Sequence, residues 1–168
     1  MAQRGVFQLF IPVLWKHFKK TYPFISRFGK SFCVAIPKSS SFYLGVSPNY
    51  NKHVIINFQH SPKPWGVGEF TVNVHISTEL SVTENWTASS ENYEQFNDGY
   101  YRLASVTGHQ DRWWCLRAAD PIYKPRNVLR PYWEPSSYES QDVVFNEAIE
   151  DISRFLEDTL FKKAGYLL

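Results

Sequence analysis

The fold of this chain is decided by two runs of sequence, KHVIINFQH at residues 52–60 and EFTVNVHIS at residues 69–77. Apolar and polar residues alternate strictly in the second run, and a period of two is typical of a half-buried strand and fits no helix. Between the runs, SPKPWGVG at residues 61–68 carries enough proline and glycine to turn the chain. The two runs are therefore predicted to form the central antiparallel pair of a sheet.

Shorter strands are predicted on both sides of this pair. Residues 32–36 and 42–46 are brief apolar runs separated by PKSSS, and residues 111–117, DRWWCLR, have the character of a last strand. Together with the central pair, they predict a single antiparallel sheet of about five strands.

Helices are predicted at both ends of the chain. Apolar residues recur at spacings of three and four over residues 6–22, where Pro12 either kinks the helix or lies in its first turn. Ser136 and Glu139 form a capping box, and the apolar stripe that follows ends before Gly165, a stop signal. The predicted fold class is α+β, a sheet packed with an N-terminal and a C-terminal helix.

The chain is predicted to be one domain over residues 1–168, because domains typically have about 100–200 residues. Residues 78–99 are polar and acidic and contain no base, which predicts a long surface excursion, and residues 78–108 are interpreted as an insertion or surface loop. The apolar stretch at residues 6–15 is too short to span a bilayer and lacks a small-residue cleavage site. A cytoplasmic protein without membrane contact is expected.

The charges are segregated along the chain. Nine Lys or Arg residues and no acid precede Glu69, and all 16 acids lie from Glu69 onward. Such a distribution of charge has two explanations. One is a surface that binds nucleic acid or an acidic partner; the other is a basic N-terminal half that faces an acidic C-terminal helix inside one fold.

No catalytic motif is present. The five histidines include no pair with the helical spacing of a zinc protease, and neither a nucleophile elbow nor a phosphate-binding loop occurs. The sequence therefore favours a non-enzymatic domain without a cofactor or metal. A weaker alternative is a hydrolase or nuclease that uses His60, His75 and Asp111.

Polar side chains occupy one face of the central pair. They are Asn57, Gln59, Asn73 and His75. If this face is covered, its amides need hydrogen-bond partners, since an unpaired buried amide costs about 1–3 kcal/mol. If it is open, it is either an ordinary solvated face or a recognition surface.

A nucleic-acid interface is the alternative function. Bases interleave with aromatic rings over residues 102–133, and this combination suits phosphate contacts and base stacking. The candidate bases are Arg112, Arg117, Lys124, Arg126 and Arg130.

The central pair resembles a known bacterial family. INFQHS at residues 56–61, a glycine-containing bend and EFTVNVHI at residues 69–76 are similar to the signature of the domain-of-unknown-function family 4304. His60 stands where that family commonly has lysine, and His75 where it commonly has glycine. The resemblance implies an α+β fold with terminal helices and no established activity, and such domains often lie near toxin–immunity or phage-defence genes.

These observations lead to one main functional hypothesis. The chain is expected to bind another protein, such as a toxin or a defence-complex subunit, as an immunity-like or anti-phage-defence accessory subunit of a bacterial complex. Trp65 at the hairpin tip and Trp86 in the acidic excursion are the predicted exposed anchors, beside the polar face defined above.

Overall fold

The structure, a computed structural model, describes residues 6–27, 40–60, 68–80, 96–108, 112–116 and 141–166. The elements in these ranges are α1 (Val6–Thr21), β1 (Ser26–Arg27), β2 (Ser41–Val46), β3 (His53–His60), β4 (Glu69–Ser77), β5 (Gly99–Arg102), α2 (Leu103–Thr107), β6 (Trp114–Cys115), α3 (Gln141–Leu156), a π-helical turn (Glu157–Phe161) and α4 (Lys162–Ala164).

The strands form one antiparallel sheet. Strands β1 to β5 are hydrogen-bonded in chain order, and β6 also pairs with β4. Because β5 pairs with residues 73–76 and β6 with residues 69–70, these two strands follow each other along one edge of β4. The predicted α+β fold, a single antiparallel sheet of about five strands with helices at both ends, is confirmed.

Strands β3 and β4 are the predicted central pair. They are paired from His53 opposite Ser77 to His60 opposite Phe70. The alternation in β4 is typical of a half-buried strand, yet all nine of its residues are buried. The strand is enclosed because β3 pairs along one edge, β5 and β6 pair along the other, and both faces are covered. The polar face is therefore covered along β4.

Helices α1 and α3 pack on the apolar face of the sheet. The Phe10 ring of α1 lies 5.4 Å from the Phe70 ring of β4 and 5.2 Å from the Phe145 ring of α3, measured between centroids. Pro12 lies inside α1, which continues through it to Thr21. None of the helices in the described ranges is long and apolar enough to cross a membrane.

Residues 99–107 form β5 and α2, inside the range where the sequence predicts an insertion or surface loop. Tyr101 of β5 and Leu103 and Val106 of α2 are buried in the hydrophobic core, so this part of the range is integral to the packing. Three predicted features lie outside the described residues. They are the stretch 81–95 of the excursion, the strand at 32–36 and the capping box of Ser136 and Glu139.

The turn between β2 and β3 binds the C-terminal end of α4. The Ser47 hydroxyl donates a hydrogen bond to the Ala164 carbonyl at 2.7 Å, and the Asn49 backbone N–H donates to the same oxygen at 3.0 Å. The Asn49 side-chain amide donates to the Lys163 carbonyl at 3.0 Å. These bonds satisfy carbonyls that a helix end leaves without an intrahelical donor. Gly165 then ends the helix with φ of 88°, the left-handed conformation that favours glycine.

We expect Gly165→Ala to lower the free energy of unfolding by about 2 kcal/mol. The positive φ is strained for alanine, and the added Cβ would lie 2.5 Å from the Asn49 side-chain oxygen. Gly108→Ala is the matched control, because Gly108 has φ of 72° and nothing within 4 Å of an added Cβ; it should cost about 1 kcal/mol. Urea unfolding of both variants measures the difference, and equal losses would exclude a role for the Asn49 contact.

Candidate functional site

The polar face of the sheet is organised in two rows that run across the strands. In the first row, Ser41, Asn57, Asn73 and Arg102 are directly opposite one another on β2, β3, β4 and β5. In the second row, Tyr43, Ile55, His75 and Tyr100 occupy the equivalent positions. Side chains opposite each other on neighbouring strands are about 4.5–5.5 Å apart at Cβ, so each row brings side chains from distant segments close together.

Hydrogen bonds join the first row to its neighbours. Asn73 donates through Nδ2 to Gln59 Oε1 at 2.7 Å and to the Tyr100 hydroxyl at 2.8 Å. The Tyr100 hydroxyl in turn donates to Asn57 Oδ1 at 3.1 Å. Asn57 Nδ2 donates to the hydroxyls of Ser41 at 2.9 Å and Ser40 at 3.3 Å. The result is one continuous hydrogen-bonded network across β2 to β5.

The hydrogen bonds of this network satisfy the polar groups that are buried on the covered face. Asn57 is 2% exposed and Asn73 is fully buried. Both hydrogens of each amide nitrogen have an acceptor, and both carboxamide oxygens have a donor. A buried network with every member satisfied gives rigidity, whereas one missing bond would leave a costly unpaired group. The amides therefore fix the geometry of the sheet and are engaged with each other.

Arg102 lies at the partly exposed edge of the network and is its charged residue. Its Nη1 donates to Asn73 Oδ1 at 3.1 Å and to Gln59 Oε1 at 3.3 Å. Its Cζ lies 5.2 Å from the centroid of the Trp113 ring, within cation–π range. Arg102, Gln59 and Trp113 are all partly exposed, so the network reaches solvent at this point. We call these three residues the rim.

His75 in the second row is fully buried. Burial disfavours the charged imidazolium and lowers the pKa of His75 from 6.5 to about 4, while the charge of Asp98 acts in the opposite direction. Burial also raises the pKa of the neighbouring Tyr100 hydroxyl, against the opposing effects of the Asn73 hydrogen bond and the Arg102 charge. Both groups are therefore neutral at pH 7, and Arg102 is the charged member of this part of the face.

The structure brings three of the predicted partner-binding residues together. Asn57, Gln59 and Asn73 belong to one network, and His75 lies in the adjacent row. Asn57, Asn73 and His75 are buried, so Gln59 is the member of this set that reaches the surface. The predicted anchors Trp65 and Trp86 lie outside the described residues.

Of the residues predicted to bind nucleic acid, Arg112 lies in the described ranges. Its Nη1 lies 3.3 Å from Asp151 Oδ2, so its charge is already paired inside the protein. The other candidates lie outside the described residues; they are Arg117, Lys124, Arg126 and Arg130.

The weaker hydrolase hypothesis needs His60 and His75 close to each other. His60 lies on the same face of β3 as the core residues Ile56 and Phe58, and its ring centroid is 5.2 Å from that of Phe7, on the side of the sheet that α1 covers. His75 lies on the opposite face, so the structure does not bring the two imidazoles together. Asp111 lies outside the described residues. Within the described ranges, no group of three or more His, Cys, Asp or Glu residues could hold a metal ion.

An apolar pocket of about 520 Å³ lies at another part of the sheet, lined by Phe24, Leu44 and Tyr166 among others. The Phe24 and Tyr166 rings stack at 4.7 Å, and the Tyr166 hydroxyl donates to the Gly45 carbonyl at 3.1 Å. Lys, Arg, Asp, Glu and His are absent from its described lining. The rim of the polar network is therefore the better candidate for specific recognition.

Sequence reasoning did not connect Tyr100 or Arg102 with the polar face, although Arg102 begins the basic and aromatic stretch at residues 102–133. Both lie in a segment predicted to be a surface loop, where GYYR is too short to show a clear period. Their proximity to Asn57 and Asn73 depends on the pairing of β5 with β4, which no local pattern reveals.

The fold and the rim define an α+β protein with a buried polar network that exposes one arginine beside a tryptophan. No family model, no curated protein and no solved structure matches the chain. The resemblance to the domain-of-unknown-function family 4304 therefore stays a prediction.

Proposed function

We propose that this chain is a binding domain that recognises another protein through the rim of Gln59, Arg102 and Trp113. The observation that carries the proposal is the partly exposed Arg102 guanidinium, held between the Trp113 ring and the amide oxygens of the network. Arginine and tryptophan are the side chains most often found at the energetic centres of protein interfaces.

Rigid presentation of the rim supports the same proposal. Binding costs about 0.5–1.5 kcal/mol for each side chain that must be immobilised. Two hydrogen bonds and a ring contact already restrict the Arg102 side chain before any partner arrives. The finer role, an immunity-like or defence-system accessory subunit of a bacterial complex, is part of this proposal and rests on the family resemblance.

A pull-down tests the proposal. The tagged protein is incubated with lysate of its own host cells, treated with nuclease and washed at high salt, and retained proteins are identified by mass spectrometry. Arg102→Ala should lose a retained partner protein. Arg27→Ala is the matched control, because the Arg27 guanidinium also lies over a tryptophan, 5.8 Å from the Trp15 ring, but outside the network.

Two results would contradict the proposal. One is recovery of nucleic acid alone with loss of binding in salt, which is the behaviour of the nucleic-acid alternative. The other is a partner that Arg102→Ala retains as well as the wild-type protein does. Circular dichroism of Arg102→Ala is measured alongside, to check that the sheet persists in the variant. Trp65→Ala and Trp86→Ala test the two predicted anchors in the same assay.

A further inference from the structure

The hydrogen bonds of Arg102 leave one edge of its guanidinium available. Nη1 uses its two hydrogens on Gln59 Oε1 and Asn73 Oδ1. Nε and Nη2 have no hydrogen-bond partner among the described residues. They are also not among the fully buried side-chain atoms without a partner. Nε–H and Nη2–H point the same way and form a fork that matches the two oxygens of a carboxylate.

The charge of Arg102 is not neutralised by the part of the protein that the structure describes. The ion pairs there join Lys52 to Asp98 and Arg112 to Asp151, and none of the carboxylates in the described ranges lies within 4 Å of a nitrogen of Arg102. Its polar neighbours are neutral amides and the Tyr100 hydroxyl. A partly buried cation among neutral groups gains most from an anion that makes charge-assisted hydrogen bonds.

Gln59 adds a neighbouring donor. Its Oε1 accepts from both Asn73 and Arg102, which sets the orientation of the carboxamide. Its Nε2 has no partner among the described residues and is not a buried atom. The rim therefore offers N–H donors from two side chains, and its amide oxygen, Gln59 Oε1, is already bonded to Asn73 and Arg102.

We infer, on the basis of the proposed function, that Arg102 binds a carboxylate of an acidic segment of the partner protein through Nε and Nη2. A single fork among neutral groups suits one carboxylate at a time. Nucleic acid binding depends on several cations placed along a phosphate backbone, and Arg112, the nearest described candidate in sequence, is paired with Asp151. The Trp113 ring restricts the guanidinium, which favours a planar, bidentate partner.

Titration of the purified chain with a hexaglutamate peptide tests this inference. The readout is the arginine Nε–Hε region of a ¹H–¹⁵N NMR spectrum, in which the Arg102 signal is identified by its absence in Arg102→Lys. Hexaglutamate should shift that signal, whereas a hexaglutamine peptide and a hexathymidylate oligonucleotide should not. Arg102→Lys keeps the charge and loses the fork, so the dissociation constant for hexaglutamate should rise about tenfold.

Arg27→Lys is the control and should leave the affinity for hexaglutamate unchanged. The inference is overturned if Arg102→Lys binds hexaglutamate as tightly as the wild-type protein, if the Arg102 signal does not move, or if the oligonucleotide moves it equally. Its failure is distinct from failure of the proposed function. If the Arg102 signal does not move but Arg102 is still needed to capture a protein, carboxylate binding is contradicted and the proposed function stands. If the signal moves but no protein is captured, the proposed function is contradicted and carboxylate binding stands.

Discussion

Replacing Asp151 with alanine is expected to lower the free energy of unfolding by about 3–5 kcal/mol. Asp151 of α3 is 9% exposed. Its Oδ2 accepts from the Trp114 indole N–H at 2.8 Å and lies 3.3 Å from Arg112 Nη1. Because the Arg112 guanidinium also lies 4.2 Å from the centroid of the Phe155 ring, the substitution leaves a largely buried cation and a buried donor without their acceptor. Water cannot replace the lost acceptor unless the contact between α3 and β6 opens.

Guanidinium unfolding at pH 7, followed by circular dichroism, measures this loss. Asp151→Asn keeps an acceptor for Trp114 but removes the charge, so it should fall between alanine and the wild type. Lys52→Ala is the matched control, because it breaks an ion pair of 2.9 Å in which Asp98 is 45% exposed, and exposed pairs contribute about 0–1 kcal/mol. If Asp151→Ala costs no more than Lys52→Ala, the ion pair of Arg112 has no structural importance.

The stability of the protein is expected to fall by about 3 kcal/mol between pH 6.5 and pH 4 because of His75. The pKa of His75 is about 4 in the folded chain, against 6.5 for an ordinary histidine. In this range the unfolded chain binds a proton that the folded chain does not, so acid favours unfolding. The stabilising contribution is therefore complete above pH 6.5 and is lost as the pH falls to about 4.

Urea unfolding from pH 4 to pH 7.5 measures this dependence in the wild type and in His75→Leu, which cannot titrate. Most of the slope should disappear in the variant. A smaller slope should remain, because burial also lowers the pKa of His17 and His60. Ile55→Val is the control, since Ile55 lies opposite His75 and its truncation keeps the imidazole. A variant that lacks His75 but retains the full slope would show that other groups cause it.

Much of the fold could be predicted because its elements have strong local periods. The alternation at residues 69–77 corresponds to β4 without a change of boundary, and the run at residues 52–60 becomes β3 after the loss of Lys52. The apolar spacing at residues 6–22 corresponds to α1, even with Pro12 inside it. A period of two or 3.6 reports which side chains share a face, and that information is complete within the segment itself.

The candidate site was predictable only in part. The polar alternation identified Asn57, Gln59 and Asn73 as members of one face, but it left open whether that face was covered. Arg102 could not be found in this way, because its hydrogen bonds reach Asn73 and Gln59 across 29 and 43 residues of chain. No local pattern specifies contacts over such distances.

The sequence by itself determined the α+β class, the central β3–β4 pair and the amphipathic faces of α1 and α3. Only the tertiary structure decided that β5 pairs with β4, that His75 is buried and neutral, and that the partly exposed Arg102 lies against Trp113 and bonds to the network through Nη1. The physical reason is that periodicity depends on neighbours along the chain, whereas burial, pKa and hydrogen-bond satisfaction depend on which distant segments pack against each other.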